Sequence, residues 1–138
     1  MSRIMAIDYG TKRMGIAVTD PLQIIATPLI TVHPKESIVF FENYFKLEEV
    51  SLVVFGEPLQ NDGSPSESNV PLQAYINLFK KKFPKMNLAM MDERFTSRMA
   101  LNAMIDAGVK KNQRRNKSLV DRTAAVIILQ SYMQKMGI

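Results

Sequence analysis

A chain of 138 residues with 46% hydrophobic and 22% charged positions suits one globular domain, 1–138, able to bury a substantial core. It has no cysteine, which excludes disulfides, thiolate zinc sites and cysteine nucleophiles, and its single histidine, His33, stands in a segment with no other chemical signal, which argues against histidine-based triads and histidine metal clusters. The formal net charge of +5 favours a polyanionic partner, no apolar run has the length to span a bilayer, and a cysteine-free chain fits a reducing cytoplasm.

Residues 3–8 (RIMAID) form a short apolar strand ending at Asp8, and 9–13 (YGTKR) turn at Gly10. A second strand follows over 14–19 (MGIAVT), then an Asp20–Pro21 turn and a β-branched third strand over 24–32 (IIATPLITV). Pro28 cannot donate to a ladder, so it belongs at a bulge or on an edge strand. His33, before Pro34, reads as a solvated turn residue. Pro34 then opens a helix over 35–48, with Ile38, Phe41 and Phe45 near helical period.

LVVF (52–55) is a buried strand, and 56–66 is a loop rich in Gly, Asn, Asp, Ser and Pro. A helix is expected over 68–83, with Pro71 in its first turns and lysines 80–82 favourable at its C-terminus. MNLAMM (86–91) is a further strand, leading to Asp92–Glu93. Thr96 or Ser97 can cap a helix that runs to Gly108, and 117–136 reads as a long final helix. Its apolar positions Leu119, Ala124, Ile127, Ile128 and Met133 fall on or near one face. The order βββ-α-β-α-β-α-α predicts an α/β fold. A three-strand antiparallel meander continues into parallel strands, giving a mixed five-stranded sheet flanked by helices on both faces. This is the ribonuclease H-like arrangement.

With so little histidine and no cysteine, the reactive groups on offer are carboxylates, lysines and hydroxyls. Asp8 ends the first strand, Glu93 follows the fifth, and Asp121 lies one turn into the last helix. Ligands of open α/β sheets collect beyond the carboxyl ends of strands, so Asp8 and Glu93 are candidates for one rim, and a helix crossing that rim can add Asp121. Such a cluster repels itself unless a divalent cation neutralises it, and Mg2+ (or Mn2+) suits oxygen ligands. A pair of such ions can activate a water and stabilise the leaving oxygen. Taken one at a time, these residues read more readily as ordinary surface acids or helix caps. Thr11, Lys12 and Arg13 beside Gly10 can contact phosphate, although the same stretch also makes an ordinary hairpin turn. Lys110, Lys111, Arg114, Arg115 and Lys117 form a run free of acidic residues next to Asp121. The run is either a solvated loop or a contact for phosphate backbone.

Four segments together go further: AIDYGTKRMGIAVTD (6–20), VVFGEPLQNDGSPSE (53–67), MDERFTSRMA (91–100) and VDRTAAVIILQSY (120–132). In this order and spacing they resemble the YqgF family, RuvC-related proteins described as proposed pre-16S rRNA nucleases and Holliday junction resolvase homologues. The resemblance implies a ribonuclease H-like fold, divalent-metal nuclease chemistry and trimming of the 5′ end of precursor 16S ribosomal RNA. By matching position it implies Asp8, Glu93 and Asp121 as catalytic metal ligands. Thr11, Lys12 and Arg94 stand at positions suited to substrate phosphate or to holding the carboxylates. One departure stands out. The family usually reads Gly-Leu-Pro where this chain has Gly56-Glu57-Pro58. Glu57 is therefore either an additional or substitute metal ligand or an outward-pointing surface glutamate.

Three rival functions follow. Cleavage of branched DNA uses the same chemistry but needs two active sites, hence a homodimer, whereas an RNA nuclease can act as a monomer. A non-catalytic nucleic-acid-binding or transcription-associated factor is the second alternative. A two-lobed phosphotransferase is disfavoured, because this chain supplies one lobe only.

Overall fold

The computed structural model describes residues 2–58, 60, 62–92 and 117–138, with 117–119 described by their backbone. The elements are β1 (Arg3–Asp8), β2 (Met14–Thr19), β3 (Ala26–Val32), α1 (Pro34–Leu47), β4 (Val50–Glu57), α2 (Asn69–Lys82), β5 (Asn87–Asp92) and α3 (Lys117–Lys135). The helix expected between Thr96 and Gly108 lies outside the described residues.

The five strands form one sheet in the order β3-β2-β1-β4-β5. β1, β2 and β3 pair antiparallel, and β4 adds to β1 in parallel, followed by β5. This is the mixed sheet expected from the element order. Pro28 meets both of its conditions. It lies on the edge strand β3, and the β2–β3 register shifts between Ile16 and Ala17, where Ala17 faces Pro28. β3 itself starts at Ala26, two residues later than the β-branched run suggests. Asp20 explains the delay: its carboxylate accepts the backbone N–H groups of Leu22, Ile24 and Ile25, closing residues 20–25 into a turn. These bonds, Ile25's foremost, lower the Asp20 pKa from its ordinary value.

Strand alternation sorts the core onto two faces. Met5, Ile7, Met14, Ile16, Val18, Val53 and Phe55 pack with Phe41 of α1 and with Leu72, Tyr75, Ile76 and Phe79 of α2. On the other face Ile4, Ala6, Ala17 and Val54 meet Ala125, Ile128, Leu129 and Met133 of α3. All six residues of β2 are buried, as a strand covered on both faces requires. Phe41, Phe55 and Phe79 are fully buried and in edge contact. Burial of each such ring contributes about 1.5–3 kcal/mol. His33 is exposed, as expected of a turn residue, and it also caps α1, its Nδ1 accepting from Lys35 N at 3.1 Å. No helix among the described residues is long and apolar enough to cross a membrane.

Candidate active site

The rim at the carboxyl ends of the parallel strands carries the candidate chemistry. β1 ends at Asp8, and the chain then turns through Tyr9–Arg13 into β2. Gly10 makes that turn possible, because a Cβ there would stand 2.6 Å from the Arg13 carbonyl oxygen. The α2 N-terminus closes one side with Ser68 and Pro71, and α3 closes another with Asp121. The result is a cleft of about 320 Å³ lined by Asp8, Tyr9, Gly10, Thr11, Lys12, Arg13, Ser68, Pro71 and Asp121.

Asp8 and Asp121 are 113 positions apart in the chain (121 − 8), and a glycine brings them together. Asp8 is the register partner of Gly15 across the β1–β2 ladder. α3 lies on that glycine. A Cβ at Gly15 would run into the Asp121 backbone carbonyl and stand 2.9 Å from Arg122 N. A bare α-carbon in mid-strand thus lets the helix backbone sit directly over the strand, beside the end of β1. Sequence reasoning missed Gly15. Its available signal is a glycine inside an otherwise apolar, fully buried strand.

Charges in the cleft are interleaved. Arg13 Nε donates to Asp121 Oδ2 at 2.8 Å, so in this structure Arg13 faces a carboxylate. Thr11 and Lys12 are exposed at the mouth. Tyr9 lies against Tyr75 with ring centroids 5.0 Å apart, and the Tyr75 hydroxyl is 2.5 Å from Ser37 Oγ. Burial raises the pKa of both phenols, that of Tyr75 to about 12, so both stay neutral and Tyr9 gives the cleft an uncharged wall backed by Tyr75. Tyr9, Ser68 and Pro71 are lining residues that sequence reasoning also missed. They are contributed by the loop after β1 and by the start of α2, and become neighbours only through the fold.

Two of the three expected carboxylates, Asp8 and Asp121, therefore line one cleft. Glu93, with Arg94, Lys110, Lys111, Arg114 and Arg115, lies outside the described residues, and Lys117 is described only as the first backbone position of α3. Among the described residues no group of three or more acidic or histidine side chains is placed to hold a metal ion. The structure does not bring Glu57 into the cleft. Glu57 ends β4 opposite Asp92 and follows Val53 and Phe55 in strand alternation, on the α2 face, whereas Asp8 follows Ile4 and Ala6 on the α3 face. As donors, Asp8 and Asp121 are hard oxygen ligands on two rigid elements, a set that fits a magnesium-like cation.

The RuvX family of Holliday junction resolvases matches residues 2–135. A Christiangramia forsetii protein named as a candidate pre-16S rRNA nuclease is 53% identical, covering 96% of this chain and 98% of its own. Proteins of the same name from Flavobacterium psychrophilum (50% identical, 98% of each chain) and Bacteroides fragilis (48%, 97% of each chain) match similarly. Among solved structures, Thermus thermophilus RuvC in complex with a Holliday junction substrate aligns over 99% of this chain and 97% of its own. Its TM-score is 0.54 at 16% identity, a likeness of fold that agrees with the ribonuclease H-like arrangement. With the match running almost end to end and relatives near half identity over their full lengths, the chain belongs to the RuvX Holliday junction resolvase family.

Proposed function

We propose that the protein is a divalent-metal-dependent nuclease that hydrolyses phosphodiester bonds in precursor 16S rRNA. The observation that carries this reading is the pairing of Asp8 and Asp121 in one cleft whose mouth bears Thr11, Lys12 and Arg13. Two carboxylates on rigid elements hold a hard cation, and a hydroxyl with two cations receives the phosphate backbone. When bound, the cation supplies neutralisation of the carboxylates and Lewis acidity toward a phosphate. Asp8, on β1, and Asp121, on α3, fix its position. Glu93, one residue beyond β5, is proposed as the third ligand, because β5 runs parallel to β1 and ends at the same rim. Lys12, with Lys110, Lys111, Arg114, Arg115 and Lys117, is proposed to hold the backbone of the nucleic acid, and Arg94 to contact phosphate or hold the carboxylates. Such contacts supply affinity rather than sequence selectivity. The names of the relatives support RNA as the substrate.

A second reading, cleavage of four-way DNA junctions by a homodimer, is favoured by the description of the matching family. Labelled precursor 16S rRNA and a synthetic four-way junction, each with Mg2+ or EDTA, separate the two. The proposal expects Mg2+-dependent cutting of the RNA near its 5′ end and an intact junction. Junction cutting alone would make the protein a resolvase. Tight binding without cutting of either would make it a non-catalytic binding factor.

A further inference from the structure

Arg13 closes the loop after Asp8 and reaches across to α3, its Nε donating to Asp121 Oδ2 at 2.8 Å over a sequence separation of 108. The two ends of this ion pair differ. The Asp121 side chain is 19% exposed, fixed on a helix packed against the sheet, whereas that of Arg13 is 43% exposed, on a turn. Half-solvated pairs of this kind are weak and exchange readily with other partners. A guanidinium and a divalent cation repel one another at the same carboxylate oxygen, so a cation that takes Oδ2 of Asp121 displaces Arg13 from it. The departing guanidinium remains in a cleft also lined by Thr11 and Lys12. Its planar fork matches phosphate as well as it matches carboxylate.

We propose that Arg13 is an exchangeable counter-ion: it holds Asp121 in the free protein and passes to a phosphate of the nucleic acid when a divalent cation takes the carboxylate. Cation and nucleic acid then bind cooperatively, each strengthening the other by the same factor, as linkage requires. This rests on the metal-dependent reading of the same cleft. In this role Arg13 is a positioning residue, acting through Asp121 in one state and on substrate in the other.

The test is Mn2+ affinity, measured by calorimetry on wild type, Arg13→Gln, Arg13→Lys and Asp121→Asn, with and without a nuclease-resistant phosphorothioate RNA. Without RNA, Arg13→Gln is expected to bind Mn2+ roughly ten-fold more tightly than wild type, a factor within the usual range of coupled sites. Arg13→Lys, which keeps the charge, stays close to wild type. Adding RNA tightens Mn2+ binding in wild type and leaves Arg13→Gln nearly unmoved. Equal or weaker Mn2+ binding by Arg13→Gln, or equal enhancement by RNA in both proteins, overturns the exchange. If Arg13→Gln matches wild type while Asp121→Asn loses Mn2+, the metal site stands and the exchange alone falls. If no variant and not wild type binds Mn2+, both fall.

Discussion

Acidic residues at the end of a strand are easy to find in a sequence, but which side of the sheet each one faces is a matter of register. Asp8 and Glu57 end neighbouring parallel strands, yet alternation sends Asp8 with Ile4 and Ala6 toward α3 and Glu57 with Val53 and Phe55 toward α2. The glutamate that departs from the family's usual Gly-Leu-Pro is therefore expected to be dispensable to the metal site. Glu57→Leu should leave Mn2+ affinity and cleavage rate at wild-type values; a clear loss of metal affinity would return Glu57 to the ligand set. The same scale explains what was legible at the site. Asp8, Thr11, Lys12 and Arg13 lie in one contiguous motif, and the structure brings them to one cleft. The bond from Arg13 to Asp121 was not legible, because it joins residues 108 positions apart and depends on where α3 docks.

That docking is decided between elements. α3 covers one face of the sheet with Ala125, Ile128, Leu129 and Met133, and its first turns rest on Gly15. The missing side chain lets helix and strand backbones approach until Asp121 stands beside the end of β1. Gly15→Ala should lift the start of α3, costing about 1–3 kcal/mol by overpacking. It should also weaken Mn2+ binding, since Asp121 moves with its helix. Urea unfolding read together with calorimetry checks both halves. Unchanged stability and unchanged affinity would mean that α3 is not seated through this contact.

Element order, strand pairing and the edge position of Pro28 follow from periodicity and proline chemistry, which act locally. The later start of β3 does not, because the β-branched residues Ile24 and Ile25 are held in a turn by the Asp20 carboxylate. On α3, Leu129 and Ala125 join the buried stripe while Ile127 stays half-buried. Ala124, Ile128 and Met133 are buried as their spacing suggests, and contact with the sheet adds Ala125 and Leu129 to the stripe.

At the scale of the whole molecule, one rim of the sheet gathers the chemistry while apolar packing on both faces holds it rigid. Helices α1 and α2 cover the face away from Asp8, and the tilted ring pair of Tyr9 and Tyr75 connects that packing to the wall of the cleft. Rigid support of this kind holds Asp8 and Asp121 in one cleft, as the proposed cation site requires. The excess of basic residues, +5 overall, suits the polyanionic substrate proposed for it.

Asp8 and Asp121 are proposed to act as one site. The most direct test is the rate of Mg2+-dependent cleavage of labelled precursor 16S rRNA by wild type, Asp8→Asn and Asp121→Asn, each shown to be folded by circular dichroism and to bind the RNA. Either substitution is expected to slow cleavage by more than about 100-fold, the upper end of what loss of a supporting residue around a metal costs, with RNA binding retained. Cleavage near the wild-type rate in either variant would contradict the shared site.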